Sequence, residues 1–271
     1  MRRQGGNNMA QTLDVTGGQL IYDEFGDGPE TIIFVHGAGG NHLSWWQQIP
    51  VFRDRYRCIT YEVRGWGRSR DDSGEGRKAF SRDLGELMDA LEIPEAVLVG
   101  QSMGGFTILP FAVRNPQRVK GLLMADTFLG IDAPELVQEM RKAVESAQVN
   151  QEQGGLTRMV GPAYLEREPN GVFLYNQIRG LNPPLDPNQP LAFGQEDGAV
   201  SKDKLSALTM PTIFLAGAED AIIPAELIER AAQMVPGAQY IQVPEAGHSV
   251  YWELPDEFNQ VVEVLLLEAF V

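Results

Sequence analysis

A chain of 271 residues, 43% hydrophobic and 22% charged, can bury a sizeable core as one large α/β domain or two small ones. Its 37 acidic side chains against 22 basic ones give a net charge of −15, which repels phosphate backbones and anionic lipid surfaces. That excludes a nucleic-acid or membrane partner from the expectation and leaves a protein acting on a small-molecule substrate, as a monomer or homodimer.

Residues 1–10 carry Arg2 and Arg3 with no apolar run behind them, so they read as a disordered tail and not as an export signal. The single cysteine, Cys58, lies in the apolar stretch 56–61, where it reads as a buried small residue; with no disulfide framework and no run of membrane-spanning length, a cytoplasmic location is expected. Residues 18–25 alternate, Leu20 and Tyr22 against Ile21 and Asp23, as an edge antiparallel strand does. Residues 31–35, 57–61, 96–99 and 119–125 are continuous apolar runs of strand length, the pattern of parallel strands covered on both faces. Between them, Phe80, Leu84, Leu87, Met88 and Leu91 recur at helical spacing, with Pro94 beyond the helix end.

From 127 to 207 the rhythm breaks. A helical piece at 135–147 is followed by Gly154-Gly155, Gly161-Pro162, Pro183-Pro184, Pro187 and Pro190, which predicts an insertion and not more sheet. The α/β pattern then resumes with a strand at 212–216, a helix at 225–235 opened by Pro224, a strand at 239–243 and a closing amphipathic helix at 258–267. This alternation predicts a mostly parallel sheet with right-handed crossovers and helices on both faces.

Ligands of such sheets bind beyond the carboxyl ends of the strands, and reactive residue types cluster there. Ser102 stands in Gly100-Gln101-Ser102-Met103-Gly104-Gly105, directly after the run 96–99. A serine raised on a sharp strand-to-helix turn has a strained backbone and needs small neighbours two residues away on each side, which Gly100 and Gly104 supply. Asp220 follows the strand 212–216, and His248 follows 239–243 within Pro244-Glu245-Ala246-Gly247-His248. A serine hydroxyl is a weak nucleophile, so His248 is expected to take its proton and later return it to the leaving group, with Asp220 fixing the imidazole tautomer. Asp126, at the end of the strand 119–125, is the alternative acid. His36 reads as a structural support and His42 as either a pocket-mouth or an exposed loop residue. The histidines lack metal-ligand spacing, and Gly37–Gly40 and Gly65–Gly67 fail the dinucleotide pattern, so neither metal nor cofactor is expected.

The order Ser, Asp, His, together with His36-Gly37-Ala38-Gly39-Gly40, Arg64-Gly65-Trp66-Gly67-Arg68-Ser69, Gly217–Asp220 and Gly247-His248 followed by Glu253-Leu254-Pro255, resembles the α/β-hydrolase superfamily. Within it, the chain is most similar to the small lid-bearing esterases, lactonases and C–C hydrolases, from about residue 18 to 270. The resemblance implies an α/β-hydrolase fold with an eight-stranded, mostly parallel sheet. Residues 11–126 and 208–271 would form the core, and 127–207 a helical lid supplying most of an apolar pocket wall. It implies cofactor-independent cleavage of a carboxylic ester or lactone of a small, largely apolar substrate through an acyl-enzyme. The backbone N–H groups of Met103 and Ala38 would form the oxyanion hole, with Gly39 as the fallback, and Gly37, Gly39, Trp66 and Phe128 would contact substrate. A C–C hydrolase, a perhydrolase, a hydroxynitrile lyase and a triad-bearing receptor with slow turnover use the same framework and stay open. The family usually has Asp two positions before the loop arginine; here it is Glu62, whose longer side chain is expected to reset that loop.

Overall fold

The structure, a computed structural model, describes residues 10–149, 158–184 and 199–270. Its centre is a sheet of β1 (Gln11–Val15), β2 (Gly18–Phe25), β3 (Thr31–Val35), β4 (Arg57–Glu62), the two-residue β5 (Arg70–Asp71), β6 (Ala96–Gln101), β7 (Val119–Ala125), β8 (Thr212–Gly217) and β9 (Gln239–Val243). Eight strands follow the order β1-β2-β4-β3-β6-β7-β8-β9, and β5 is a ninth that pairs with β2 off this path. All pairings from β4 across to β9 are parallel; β1, β2 and β5 pair antiparallel.

The strand 18–25 is antiparallel as expected but is not an edge. It lies between β1 and β4, and β1 is the outer strand. Gln11, Thr12 and Asp14 of β1 face water, so this strand has no apolar run by which to recognise it. Of the expected tail only Ala10 falls among the described residues.

Apolar residues dominate both faces of the central strands because each face meets a separate core. Ile33, Val35 and Leu98 point to one cluster, while Ile32, Phe34, Val97 and Val99 point to the other, as the two-residue strand period requires. The helices are α1 (Ile49–Phe52), α2 (Phe80–Ala90), α3 (Gly105–Arg114), α4 (Pro134–Val149), α5 (Pro162–Arg167), α6 (Pro169–Arg179), α7 (Ala225–Ala232), α8 (Val250–Glu253) and α9 (Pro255–Ala269). Phe80, Leu84, Leu87 and Met88 of α2 and Leu227, Ile228 and Ala231 of α7 cover the first face; Phe258, Val262, Leu265 and Leu266 of α9 cover the second.

The connection from β7 to β8 holds α4, α5 and α6 among the described residues. Pro162 opens α5, where a missing N–H costs no helical hydrogen bond. The expected breaks at Gly154-Gly155, Pro187 and Pro190 lie outside the described residues. No residue of α6 is fully buried, yet the helix is pinned to the sheet domain. The Tyr175 ring meets Trp252 edge-on at 5.1 Å, and the Asn41 side-chain amide donates to the Ile178 carbonyl at 2.9 Å.

Candidate active site

The register of parallel strands brings the ends of β6, β7 and β8 side by side, and three carboxyl-end loops converge there. Ser102 follows β6 directly with φ +47°, a left-handed conformation that a serine adopts only under constraint from its surroundings. Its Oγ lies 2.8 Å from Nε2 of His248, whose Nδ1 lies 2.7 Å from an Oδ of Asp220. The other Asp220 oxygen accepts the backbone N–H groups of Ile222 (2.7 Å) and Ile223 (2.9 Å), so the carboxylate is oriented from both sides. Ser102 and His248 are only 5% and 3% exposed, which keeps the pair largely out of bulk water. Burial pulls the His248 imidazole down, but the Asp220 carboxylate and, further off, Asp126 and Glu253 outweigh it and hold it above its ordinary value of 6.5.

Asp126 sits beside this chain and does not bond His248. Its two oxygens accept the N–H groups of Gly217 (3.1 Å) and Val250 (3.2 Å), one at the end of β8 before Asp220 and one just past His248. It is therefore a strut between the acid and base loops, and burial together with the Asp220 charge pushes its carboxyl well above the usual range. The Gln101 amide donates to the His248 carbonyl at 2.7 Å, tying the nucleophile strand to the same loop. The fully enclosed Glu253 side chain accepts the N–H groups of Gly247 (3.0 Å) and Ser249 (3.1 Å), which flank the histidine, and of Gly161 in the β7–β8 connection (2.7 Å). Gln101 did not stand out by type, and Glu253 was marked only as the first residue of the Glu253-Leu254-Pro255 segment that carries the family resemblance, with no role attached.

The loop after β3 turns tightly, with Gly40 N–H donating to Gly37 O at 3.0 Å and Gly39 at φ +85°, as the third position of such a turn demands of a glycine. Among the described residues the Ala38 N–H has no acceptor, and the Met103 N–H belongs to the first turn of the helical segment starting at Ser102, where helix donors are unmet. His36 bridges this loop to the next: its Nε2 accepts the Val63 N–H at 3.0 Å, which leaves Nδ1 to donate to Gly37 O at 2.8 Å. Burial pushes this imidazole down to about 4, so it stays neutral, matching a supporting role.

His42 takes neither of its two expected places. It is nearly enclosed, with Nδ1 2.6 Å from Glu62 and Nε2 3.4 Å from Asp23. The Glu62 carboxylate also accepts the Arg68 N–H at 2.5 Å and packs on Gly67, whose φ of +56° and tight approach leave no room for a side chain. The extra methylene of glutamate is thus absorbed by a glycine and a histidine partner, with the loop ending held.

A cavity of about 440 Å³ adjoins the loop after β3. Ala38, Gly39 and Trp66 line it on the sheet side, and Met159, Asn176, Arg179, Asn182, Pro183 and Pro184 close it from the β7–β8 connection. Two of the residues expected to contact substrate are not in its lining. Phe128 has no exposed surface and belongs to the same core cluster as Met103, Ile108 and Leu109. Gly37 lies against Gln101 and Ser102 and does not line the cavity. The wall is also more polar than the expected apolar lining, with Arg179, Asn176 and Asn182 in it. Asn182 donates to Gly39 O at 2.8 Å and accepts from Gly67 N at 2.9 Å, so one side chain straps α6 to both loops.

Residues 30–255 match the alpha/beta hydrolase fold family. The chain is 28% identical over 268 residues to 3-oxoadipate enol-lactonase 2 of Acinetobacter baylyi, covering 94% of this chain and 96% of that one. It is 28% identical over 265 residues to a 2-hydroxy-6-oxononadienedioate/2-hydroxy-6-oxononatrienedioate hydrolase of Paraburkholderia xenovorans, covering 90% of this chain and 89% of the other. Among solved structures it superposes on a thermophilic esterase from Thermogutta terrifontis with a TM-score of 0.74 at 26% identity, over 97% of this chain and all of that one. With most of its length matched by the family and the strand order already described, the chain belongs to the alpha/beta hydrolase family.

Proposed function

We propose that the protein hydrolyses a small carboxylic ester or lactone through an acyl-enzyme on Ser102, with His248 as general base and acid and Asp220 as its orienting partner. The observation that carries this reading is the unbroken Ser102–His248–Asp220 hydrogen-bond chain, at 2.8 and 2.7 Å, on a serine held at φ +47°. Ser102 Oγ attacks the carbonyl carbon while His248 Nε2 takes its proton. The oxyanion that forms accepts hydrogen bonds from the Met103 and Ala38 N–H groups, each worth about 3 kcal/mol to the transition state. Collapse expels the alkoxide, which receives the proton from His248. A water then repeats the sequence on the acyl-enzyme and releases the acid. With a lactone, both products are one hydroxy acid.

The family membership and the enol-lactonase and esterase likenesses support the same chemistry. Residues 158–184 act as a lid in this reading, because the Asn182, Ile178 and Gly161 contacts hold them over the loops after β3 and β4 and against the histidine loop. Ser102→Ala is expected to abolish turnover of p-nitrophenyl butyrate and labelling by a fluorophosphonate probe without changing the circular dichroism spectrum. A variant that keeps its activity overturns the assignment of the nucleophile.

A further inference from the structure

Among the described residues, Arg179 is the only charged side chain in the wall of the cavity beside the loop after β3. It closes α6 at its C-terminal end, and its side chain lies flat over Gly39, where a β-carbon would sit 3.2 Å from Nε and 3.4 Å from Cγ. Acids are abundant in this chain, and other arginines find them: Arg57, Arg64, Arg82, Arg118 and Arg230 each meet a carboxylate. Among the described residues, Arg179 meets none and its guanidinium makes no hydrogen bond. The Asn176 carboxamide, on the same wall, is likewise without a partner among the described residues, whereas Asn182 is committed at both ends to Gly39 and Gly67. The helix that carries Arg179 is fixed on both sides of its last turn, by the Tyr175–Trp252 ring contact and by the Asn41–Ile178 hydrogen bond. A guanidinium fork and a free amide, facing a cavity with no acid among the described residues of its wall, make a complementary surface for a planar anion.

We propose that this cavity is a carboxylate subsite, and that the substrate is an ester or lactone that also bears a free carboxylate, which Arg179 grips in bidentate fashion with Asn176 as a second donor. The inference rests on the hydrolase reading above and gives it a substrate class. The cavity and the nucleophile share the loop 37–40: Gly37 packs against Ser102, and Ala38 and Gly39 face the cavity. A substrate whose carbonyl oxygen points at the Ala38 N–H therefore has its remote end directed toward Arg179. In a molecule of net charge −15 an anionic substrate is repelled at long range, so a local cation is what makes its capture selective.

The test compares kcat/KM within two matched pairs: mono-p-nitrophenyl adipate against p-nitrophenyl hexanoate, and 4-(butanoyloxy)benzoate against phenyl butanoate. They place the carboxylate on the acyl and on the alcohol side. The wild-type enzyme is expected to prefer the charged member of at least one pair. In Arg179→Gln that charged-to-neutral ratio falls by about 10- to 100-fold, the range of a charge-assisted hydrogen bond, and Arg179→Lys keeps part of it. If Arg179 serves only to complement the end of α6, Gln lowers the melting temperature and moves both members of a pair together. Equal loss on both members overturns the subsite, as does a wild-type preference for the neutral member in both pairs. Turnover without charge preference sinks the subsite alone. Absence of turnover on all four esters, with no fluorophosphonate labelling of Ser102, sinks the hydrolase reading and the subsite with it.

Discussion

His248 holds its proton more tightly than a free histidine because the Asp220 carboxylate, at 2.7 Å, and the nearby acids Asp126 and Glu253 prevail over burial. In the proposed mechanism only the neutral imidazole accepts the Ser102 proton, so the acid limb of kcat/KM would be set by this residue. As pH falls through its pKa the base is lost. The expected profile rises with pH and has its midpoint above 6.5. Asp220→Asn removes the charge and the tautomer control together. A loss of about 10⁴-fold in kcat, with the midpoint moved toward lower pH, is expected for an acid in this role, and a stopped-flow pH series reads both. A midpoint that does not move assigns the tuning to Asp126 instead. At this scale the sequence was informative where a residue's type and place state its chemistry: Ser102, Asp220 and His248 each follow a strand that can be recognised. It was silent where identity says little. Gln101 and Asn182 act by bonding backbone groups many residues away, and nothing local to them announces those partners; Asp126 was marked by its strand end, but as an alternative acid and not as a strut.

The hairpin of β1 and β2 is attached to α2 by Glu86 and Arg82, which bond the Thr16 backbone, and through one buried arginine from the loop after β4. Arg64 makes a bidentate pair with Asp83 at 2.6 and 2.8 Å, and it also donates to the carbonyls of Gly17 and Thr16 in the hairpin turn. Burial raises the Asp83 carboxyl, and the guanidinium beside it only partly offsets this. Arg64→Met strands that carboxylate in a dry site, so a loss of about 3–5 kcal/mol in urea unfolding is expected, while Arg64→Met with Asp83→Leu recovers much of it. The parallel strands were legible because burial on both faces leaves an uninterrupted apolar run. β1 was not, since only Val15 of its five residues is buried and its place in the sheet comes from pairing with β2. Phe128 misled for the same reason in reverse: following a strand end is common to pocket residues, but this one is fully buried in the core.

For the molecule as a whole, two effects of pH have the same sign. The folded-state pKa values of His248 and Asp126 both lie above their ordinary values, so the folded chain binds these protons more tightly than the unfolded one. The stability they contribute is complete at low pH and is lost as pH rises through the folded values. Self-repulsion at net charge −15 grows over the same range. The melting temperature is therefore expected to fall between about pH 6 and pH 8, and about 0.5 M NaCl is expected to restore part of the loss at pH 8 by screening. Calorimetry at the two pH values checks this; a melting temperature that rises with pH shows that His36, held neutral in the folded chain with its pKa down at about 4, outweighs them, because its cost to folding fades as pH rises through the ordinary histidine value.

Glu253 gives the architecture a limit on modularity. One enclosed carboxylate holds Gly247 and Ser249 on either side of the base, and with the same oxygens it holds Gly161 at the start of α5. Gly161 and Gly247 approach so closely that a β-carbon on Gly161 would stand 2.9 Å from the Gly247 nitrogen. The segment proposed to shape substrate choice is thus also a wall of the mounting of His248. Grafting this segment from one relative to another to change specificity has to bring along a glycine that meets Glu253, or the graft alters the rate constant together with the substrate range.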